Sequence, residues 1–194
     1  MLKIQNLSFG YKKDTPVLKN FELELTAGEL VAVMGPSGCG KSTLLQLIAG
    51  FLSPSEGGIQ TDAKKISFAF QEPRLFPWMT VEDNLKAVLL KGADLSKIKD
   101  ILQFVELEEA DRLYPDQLSG GMQSRVSLAR ALLYGGELFL LDEPFSALDE
   151  ALSRSLSQKL RLALKDMGAS AILVTHQTEV AELFADRIIH LNED

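Results

Sequence analysis

Residues Glu29–Phe51 read ELVAVMGPSGCGKSTLLQLIAGF, and no other stretch narrows the possible folds so far. The run Glu29–Met34 is continuously apolar after its first residue, which suits a strand buried on both faces. The pattern GxxxxGK[ST] follows at once, met by Gly35, Gly40, Lys41 and Ser42. From Lys41 to Phe51 the spacing predicts a helix, with Leu44, Leu45 and Ile48 on one face. A glycine loop between a buried strand and a helix lets successive main-chain N–H groups point at one anion, and the helix dipole favours the same charge. Lys41 supplies a cation for β- and γ-phosphates, and Ser42 a hard oxygen for Mg²⁺.

A second candidate lies at Leu138–Pro144, LFLLDEP, where an apolar strand ends in two carboxylates. In an open α/β sheet, ligands bind beyond that end of the strands. Asp142 fits a Mg²⁺ partner and Glu143 a group that polarises an attacking water. By itself such a strand end is ordinary; the phosphate loop upstream gives it meaning. A third feature, LSGGMQSR at Leu118–Arg125, places Ser119, Gly120 and Gly121 at the opening of another helix. The chain thus carries two anion-binding turns and one evident nucleotide site.

Around these motifs the pattern alternates. LKIQ (2–5) and FELEL (21–25) read as half-exposed antiparallel strands. KISFAF (65–70), ELFLLD (137–142), AILVTH (171–176) and RIIHL (187–191) read as further strands. Residues from about 72 to 134 read as mostly helical; Thr80 with Asp83 resembles a capping box, and Ser96 is a candidate cap for the helix after it. A long amphipathic helix spans about 149–167, with Leu152, Leu156, Leu160 and Ala163 facing the core. We therefore expect one α/β domain over 1–194. Its core is a mainly parallel sheet flanked by helices (1–71 and 135–194), with an N-terminal antiparallel β subdomain and a helical subdomain inserted at 72–134.

The net charge of −7 and the lack of a Lys/Arg block argue against nucleic acid or anionic lipid as direct partners. No apolar run approaches the roughly 18 residues of a membrane span. The first residues show no secretory signal pattern, and the single Cys39 permits no internal disulfide, which fits a reducing setting. Membrane association would then require a partner that spans the bilayer.

Taken together, the motifs resemble the ATPase subunits of ATP-binding cassette (ABC) transporters over essentially the whole chain. GPSGCGKST is similar to the family's Walker A loop, LFLLDE to its Walker B strand and LSGGM to its signature loop. Gln71 matches the Q-loop, SALD (146–149) the D-loop and His176 the switch histidine. Tyr11, 30 residues before Lys41, stands where the family places an adenine-stacking aromatic. All occur in the family's order.

The resemblance implies hydrolysis of ATP with Mg²⁺. It implies phosphate contacts from Gly35, Pro36, Ser37, Gly38, Cys39, Gly40, Lys41, Ser42 and Thr43, with no catalytic role for Cys39. It implies metal contacts from Ser42, Gln71 and Asp142. Catalytic roles fall to Lys41, Gln71, Glu143 and His176. In the family two chains pack head to tail, so that Ser119, Gly120, Gly121 and Asp149 of one chain complete the site of the other. A second ATPase chain, transmembrane permease subunits and a solute-binding protein are the implied partners, at the cytoplasmic face of the membrane.

Met122 departs from the commonest signature, LSGGQ, but the phosphate contact belongs to Ser119 and the backbone. LSGGM followed by Arg125, with QEPRLFPWMTVEDNL (71–85), is similar to importers of the nitrate, sulfonate and taurine type. The end soon after RIIHL leads us to expect no C-terminal regulatory domain. An exporter ATPase, a soluble ABC ATPase acting on nucleic acid or ribosomes, and a nucleotide kinase are the rival readings. The acidic balance and the short insertion oppose the soluble one, and LSGG with the Asp142–Glu143 pair opposes the kinase. The sequence leaves the transported substrate open, reads His190 as structural, and leaves Phe76, Pro77 and Trp78 divided between core and docking surface.

Overall fold

The computed structural model describes residues 1–12, 15–90 and 94–191. Along the chain come β1 (Leu2–Phe9), β2 (Leu18–Leu25), β3 (Leu30–Met34), α1 (Lys41–Ile48), β4 (Glu56–Thr61) and β5 (Ile66–Ala69). Then follow α2 (Val81–Lys86), α3 (Ser96–Phe104), a short 3₁₀ turn at Pro115–Gln117 and α4 (Gly120–Tyr134). The remainder is β6 (Leu138–Asp142), α5 (Glu150–Asp166), β7 (Ser170–Val174), α6 (Thr178–Phe184) and β8 (Arg187–His190).

Among the described residues, β5-β6-β7-β3-β8 form a parallel sheet and β2-β1-β4 an antiparallel one. Strands β3, β6 and β7 are buried at every position. Period-two alternation then decides which neighbour each side chain meets. Leu138 and Leu140 of β6 share a cluster with Leu2, Ile4 and Leu25 of the antiparallel sheet and with Leu44 and Ile48 of α1. Phe139 and Leu141 turn the other way, to Leu156, Leu160 and Leu164 of α5. Cutting one such leucine to alanine costs about 2–5 kcal/mol. A third cluster joins Val81 and Leu85 of α2, Ile98 and Leu102 of α3, and Val126 and Ala129 of α4. Interleaved with them on α4, Leu128 and Ala131 pack in the α5 cluster instead. One helix therefore serves two cores.

The structure corrects several boundaries. Helix α1 stops at Ile48, short of Phe51, because Gly50 (φ 76°) takes the left-handed conformation that ends helices. Residues 71–80 form no helix; Arg74 has φ 48°, and regular structure resumes only at α2. Thr80 caps α2 by accepting from the Asp83 N–H at 3.2 Å, while the Asp83 carboxylate lies toward Lys86. Ser96 is inside the first turn of α3, and its N–H is satisfied by Asp94. Leu164, not Ala163, is the fully buried position near the end of α5. Strand β4 and helix α6 lie outside the expected elements. EGGIQT is an edge strand with no apolar alternation, and TEVAELF spans only seven residues.

At the end of the sheet away from the glycine loop, Asp186, in the turn between α6 and β8, is tied to β3 and to α5. It accepts from the Leu30 N–H (2.9 Å), Arg161 (2.7 Å) and Lys165 (2.6 Å). Burial opposes its ionisation, but the hydrogen bonds from Lys165, the Leu30 N–H and Arg161 outweigh it and bring the pKa down to about 2. Against an unfolded value of about 3.9, stability from this group is complete above that value and lost as pH falls toward 2. The network is partly solvated, so its contribution is about 1 kcal/mol. Asp186→Asn should lower the melting temperature by about 2–4 °C at pH 7. The gap between variant and wild type should stay constant down to pH 5 and narrow below pH 4, read by thermal denaturation across pH. A gap that is flat to pH 3 would contradict this account.

Candidate functional site

Four segments meet at the C-terminal edge of the parallel sheet. They follow β3 (Gly35–Thr43), β5 (Gln71), β6 (Asp142–Glu143) and β7 (Thr175–His176). Between them lies a cleft of about 470 Å³, lined by Tyr11, Ser37, Gly38, Gly40, Lys41, Ser42, Thr43, Gln71 and Glu143, with Val17 and Val174.

The loop is shaped for backbone access. Gly38 and Gly40 have φ 88° and 99°, a region open to glycine at little cost. A Cβ on Gly40 would lie 2.8 Å from Val17, and one on Gly35 would strike the Leu191 carbonyl. Lys41 folds back on the loop and donates to the carbonyls of Gly35 (2.8 Å) and Pro36 (2.7 Å). Cys39 is buried behind the loop and does not line the cleft.

Ser42 donates to Asp142 at 3.0 Å. Burial pushes the Asp142 carboxyl up; the Ser42 hydrogen bond opposes this, Glu143 adds to it, and Lys41 offsets part. A largely buried carboxylate whose hydrogen bond comes from one hydroxyl is a group in want of a cation. Ser42, Asp142 and the Gln71 amide offer only oxygen to a metal, which suits Mg²⁺.

The next residue, Glu143, is held in the left-handed region at φ 48°. For a residue with a side chain that is strain of about 1 kcal/mol or more, and it persists because three hydrogen bonds enforce it. The Glu143 N–H donates to the Val174 carbonyl at 3.0 Å, and the Glu143 carbonyl accepts from the N–H and hydroxyl of Ser146. Its carboxylate lies 2.8 Å from His176 Nδ1. A carboxylate can only accept, so Nδ1 carries the proton and Nε2 is left free. Tyr11 stands at the cleft mouth, 64% exposed, its hydroxyl 3.2 Å from Thr43 Oγ1 and its ring edge-on to Phe9.

The second glycine turn is elsewhere: none of Ser119, Gly120, Gly121 or Asp149 lines the cleft. Ser119 caps α4 by accepting from the Met122 N–H at 3.2 Å, and Asp149 caps α5 by accepting from the Leu152 N–H at 2.9 Å. The two turns touch, for a Cβ on Gly121 would lie 2.7 Å from the Ala147 carbonyl. Beside Gly120 the space is open. Met122 packs against the helical cluster, where a thioether is at home.

Sequence reasoning missed Val17, which walls the loop, and two residues that organise the segment after Gln71. Asn84, fully buried, accepts from the Phe76 N–H and donates to the carbonyls of Phe76, Met79 and Thr80. Arg130 donates to the carbonyls of Pro73 and Arg74. Their side chains bond to main chain, which leaves no partner pattern to read in the sequence. Phe76 and Trp78 prove to be exposed, at 38% and 70%.

A strand-bounded phosphate loop, an acidic pair on a neighbouring strand and a separate capped glycine turn are the architecture of an ATP-binding cassette. Residues 18–146 match the family model described as ABC transporter, and the chain belongs to that family as one of its ATP-hydrolysing subunits. It is 41% identical over 197 residues to the aliphatic sulfonates import ATP-binding protein SsuB of Bacillus licheniformis, covering 96% of this chain and 77% of that protein. The sulfate/thiosulfate import ATP-binding protein CysA of Neisseria meningitidis is 39% identical, over 98% of this chain and 58% of its own length. Among solved structures, the dimeric structure of the ABC transporter cassette MJ0796 matches with a TM-score of 0.91 at 34% identity, covering 99% of this chain and 94% of that one. A dimeric post-hydrolysis state of the same cassette, bound to ADP and Pi, matches with a TM-score of 0.89.

Asp142→Asn separates the two demands on this site. A carboxyl whose pKa is raised on folding costs the native state stability as pH climbs from the unfolded value to the raised one, and the cost is fully present above it. The nucleotide-free variant, which keeps an acceptor for Ser42, should therefore melt higher than wild type at pH 7, by about 2–4 °C per kcal/mol relieved. ATP hydrolysis should fall by about 10²-fold or more. A lower melting temperature would show that Asp142 is not strained in the free chain.

Proposed function

We propose that two copies of this chain close head to tail on ATP and drive import of a small solute through transmembrane permease subunits at the cytoplasmic face of the membrane. One observation carries the reading. The cleft gathers the phosphate loop, Gln71 and Glu143, with Asp142 and His176 hydrogen-bonded to its lining residues Ser42 and Glu143, yet leaves the capped Ser119 turn outside, so a single chain holds two unlike halves of a site. A second copy supplies what each cleft lacks, with the open face of Gly120 free for backbone approach to phosphate.

Within the closed site the geometry supports these roles. Lys41 exchanges the two loop carbonyls for phosphate oxygens. Tyr11 offers its ring to the base. Ser42 and Asp142, with Gln71, would hold a Mg²⁺ whose charge offsets that of the triphosphate. Glu143, pinned by its backbone, accepts a hydrogen bond from the attacking water. His176 holds the Glu143 carboxylate through Nδ1–H, and its Nε2 would donate to the γ-phosphate with the ring carrying both protons. We assign residues 72–134 to a helical subdomain and the remainder to the nucleotide-binding core. No helix among the described residues is long and apolar enough to cross a membrane. The exposed rings of Phe76 and Trp78 offer a permease an apolar contact. Relatives of similar identity are named for import of aliphatic sulfonates, sulfate/thiosulfate and Fe(3+), which supports a reading in which other subunits choose the cargo.

Glu143→Gln should retain ATP binding, lose about 10²- to 10⁴-fold in turnover and elute as a dimer with ATP and Mg²⁺ on size-exclusion chromatography. In that background, Lys41→Ala and Ser119→Arg chains carrying different tags should each trap little nucleotide alone. Mixed, they should trap one ATP per dimer, because one composite site carries both defects and the other neither. A mixed dimer that traps no more than its parents would refute the head-to-tail arrangement.

A further inference from the structure

Gln71 lines the cleft, but it follows the last residues of β5 on a stretch, 71–80, that forms neither helix nor strand. Something else must fix where it stands. The first side-chain restraint on the main chain beyond Gln71 comes from Arg130, on the helix capped by Ser119. Its guanidinium donates to the Pro73 carbonyl at 2.9 Å and the Arg74 carbonyl at 3.0 Å, two and three residues beyond Gln71. Arg74 itself has φ 48°, a conformation that needs outside support, and its guanidinium stacks 4.0 Å over the ring of Phe70, the residue before Gln71. Gln71 is therefore bracketed by Phe70, whose ring stacks on Phe68 and lies under the Arg74 guanidinium, and by Arg74, whose carbonyl Arg130 holds.

Arg130 also has the environment of a built clamp. It is half-buried, burial works against its charge, and among the described residues no carboxylate pairs with it. A surface arginine would find an acid or water; this one is committed to two main-chain carbonyls, the fork matching their spacing. The adjacent residue on α4 is anchored too: the buried hydroxyl of Ser67, on β5, donates to the Ala131 carbonyl at 2.7 Å. At this point α4 is fastened to the strand that leads into Gln71 and to the segment that leaves it.

We propose that Arg130 is a positioning residue for ATP hydrolysis, setting Gln71 in the nucleotide cleft from the helix that bears the Ser119 turn. The assignment rests on the role proposed above for Gln71. It follows that displacement of the first turn of α4 is passed to Gln71 through a guanidinium fork, not only through the packed helical cluster.

The test is a double-mutant cycle in the full chain, with ATP hydrolysis and binding of a fluorescent ATP analogue without Mg²⁺ as separate readouts. Gln71→Ala tests the underlying role and should lower kcat about tenfold or more. Arg130→Met keeps the aliphatic stem and removes the donors. It should lower kcat to a similar extent while binding of the analogue stays within about twofold. Arg130→Lys, which keeps the charge but reaches one carbonyl, should fall between Arg130→Met and wild type. The Gln71→Ala/Arg130→Met chain should be no slower than the slower single variant, because both remove the same contact. Full turnover in Gln71→Ala would remove the role of Gln71 and the assignment with it. Loss in Gln71→Ala with full turnover in Arg130→Met would remove the Arg130 assignment alone, as would losses that multiply in the double variant. Should Arg130→Met fail to unfold cooperatively, the cycle is run with Arg130→Lys, where multiplied losses count equally against the proposal.

Discussion

The hydrogen bond from Ser42 to Asp142 joins residues a hundred positions apart, and the rest of the site depends on what makes it possible. Ser42 begins the helix after β3, and Asp142 ends β6. Strand β7 lies between those two in the sheet, so the bond spans a whole strand position at the sheet edge. It forms because β3, β6 and β7 are held in parallel register by side chains buried on both faces. Loosen that core and the charge on Asp142, already opposed by burial, loses its hydroxyl and its alignment with the phosphate loop.

The same edge tolerates several unfavourable features at once. A buried carboxylate is raised in pKa, Glu143 sits in a left-handed backbone conformation, and Lys41 is turned back on its own loop carbonyls. Each is a local deficit that a polyphosphate and its counter-ion would relieve. Sites of this kind are less stable than their scaffolds can afford elsewhere, and the ligand then closes the structure by relieving them. At the opposite end of the sheet the polar groups are fully used: Asp186 has three donors and a pKa of about 2, and Glu29 pairs with Arg187. Stability and function occupy opposite ends of the same strands.

Helix α4 connects these concerns. Its first turn is capped by Ser119, its middle packs alternately into two hydrophobic clusters, and its last turns are tied to β5 and to the segment beyond Gln71. The signature glycines divide their duties as well. Gly121 is glycine because the Ala147 carbonyl lies against it, whereas the space beside Gly120 is open. One serves packing within the chain, and the other leaves room for whatever approaches from outside.

Much of this was legible in the residues alone. The phosphate loop, the acidic strand end, the buried strands and the long helix are local patterns, written by the physics of neighbours in sequence. Gly35–Thr43 needs glycine and lysine wherever it occurs, and Leu138–Asp142 must be buried whichever strands flank it. What escaped was set by distant partners. Strand β4 is an edge with too few apolar residues to declare itself, and α1 ends early because of one glycine's conformation. The segment 71–80 has no periodicity because Asn84 and Arg130 hold it by its main chain. The strain at Glu143 and the pairing of its carboxylate with His176 exist only once β6 and β7 lie side by side. The sequence by itself determined which chemistry this protein carries, because that chemistry needs particular side chains at close spacing. Only the tertiary structure decided how those side chains face one another, because their mutual positions are fixed by strand order and by hydrogen bonds to main chain that no residue pattern records.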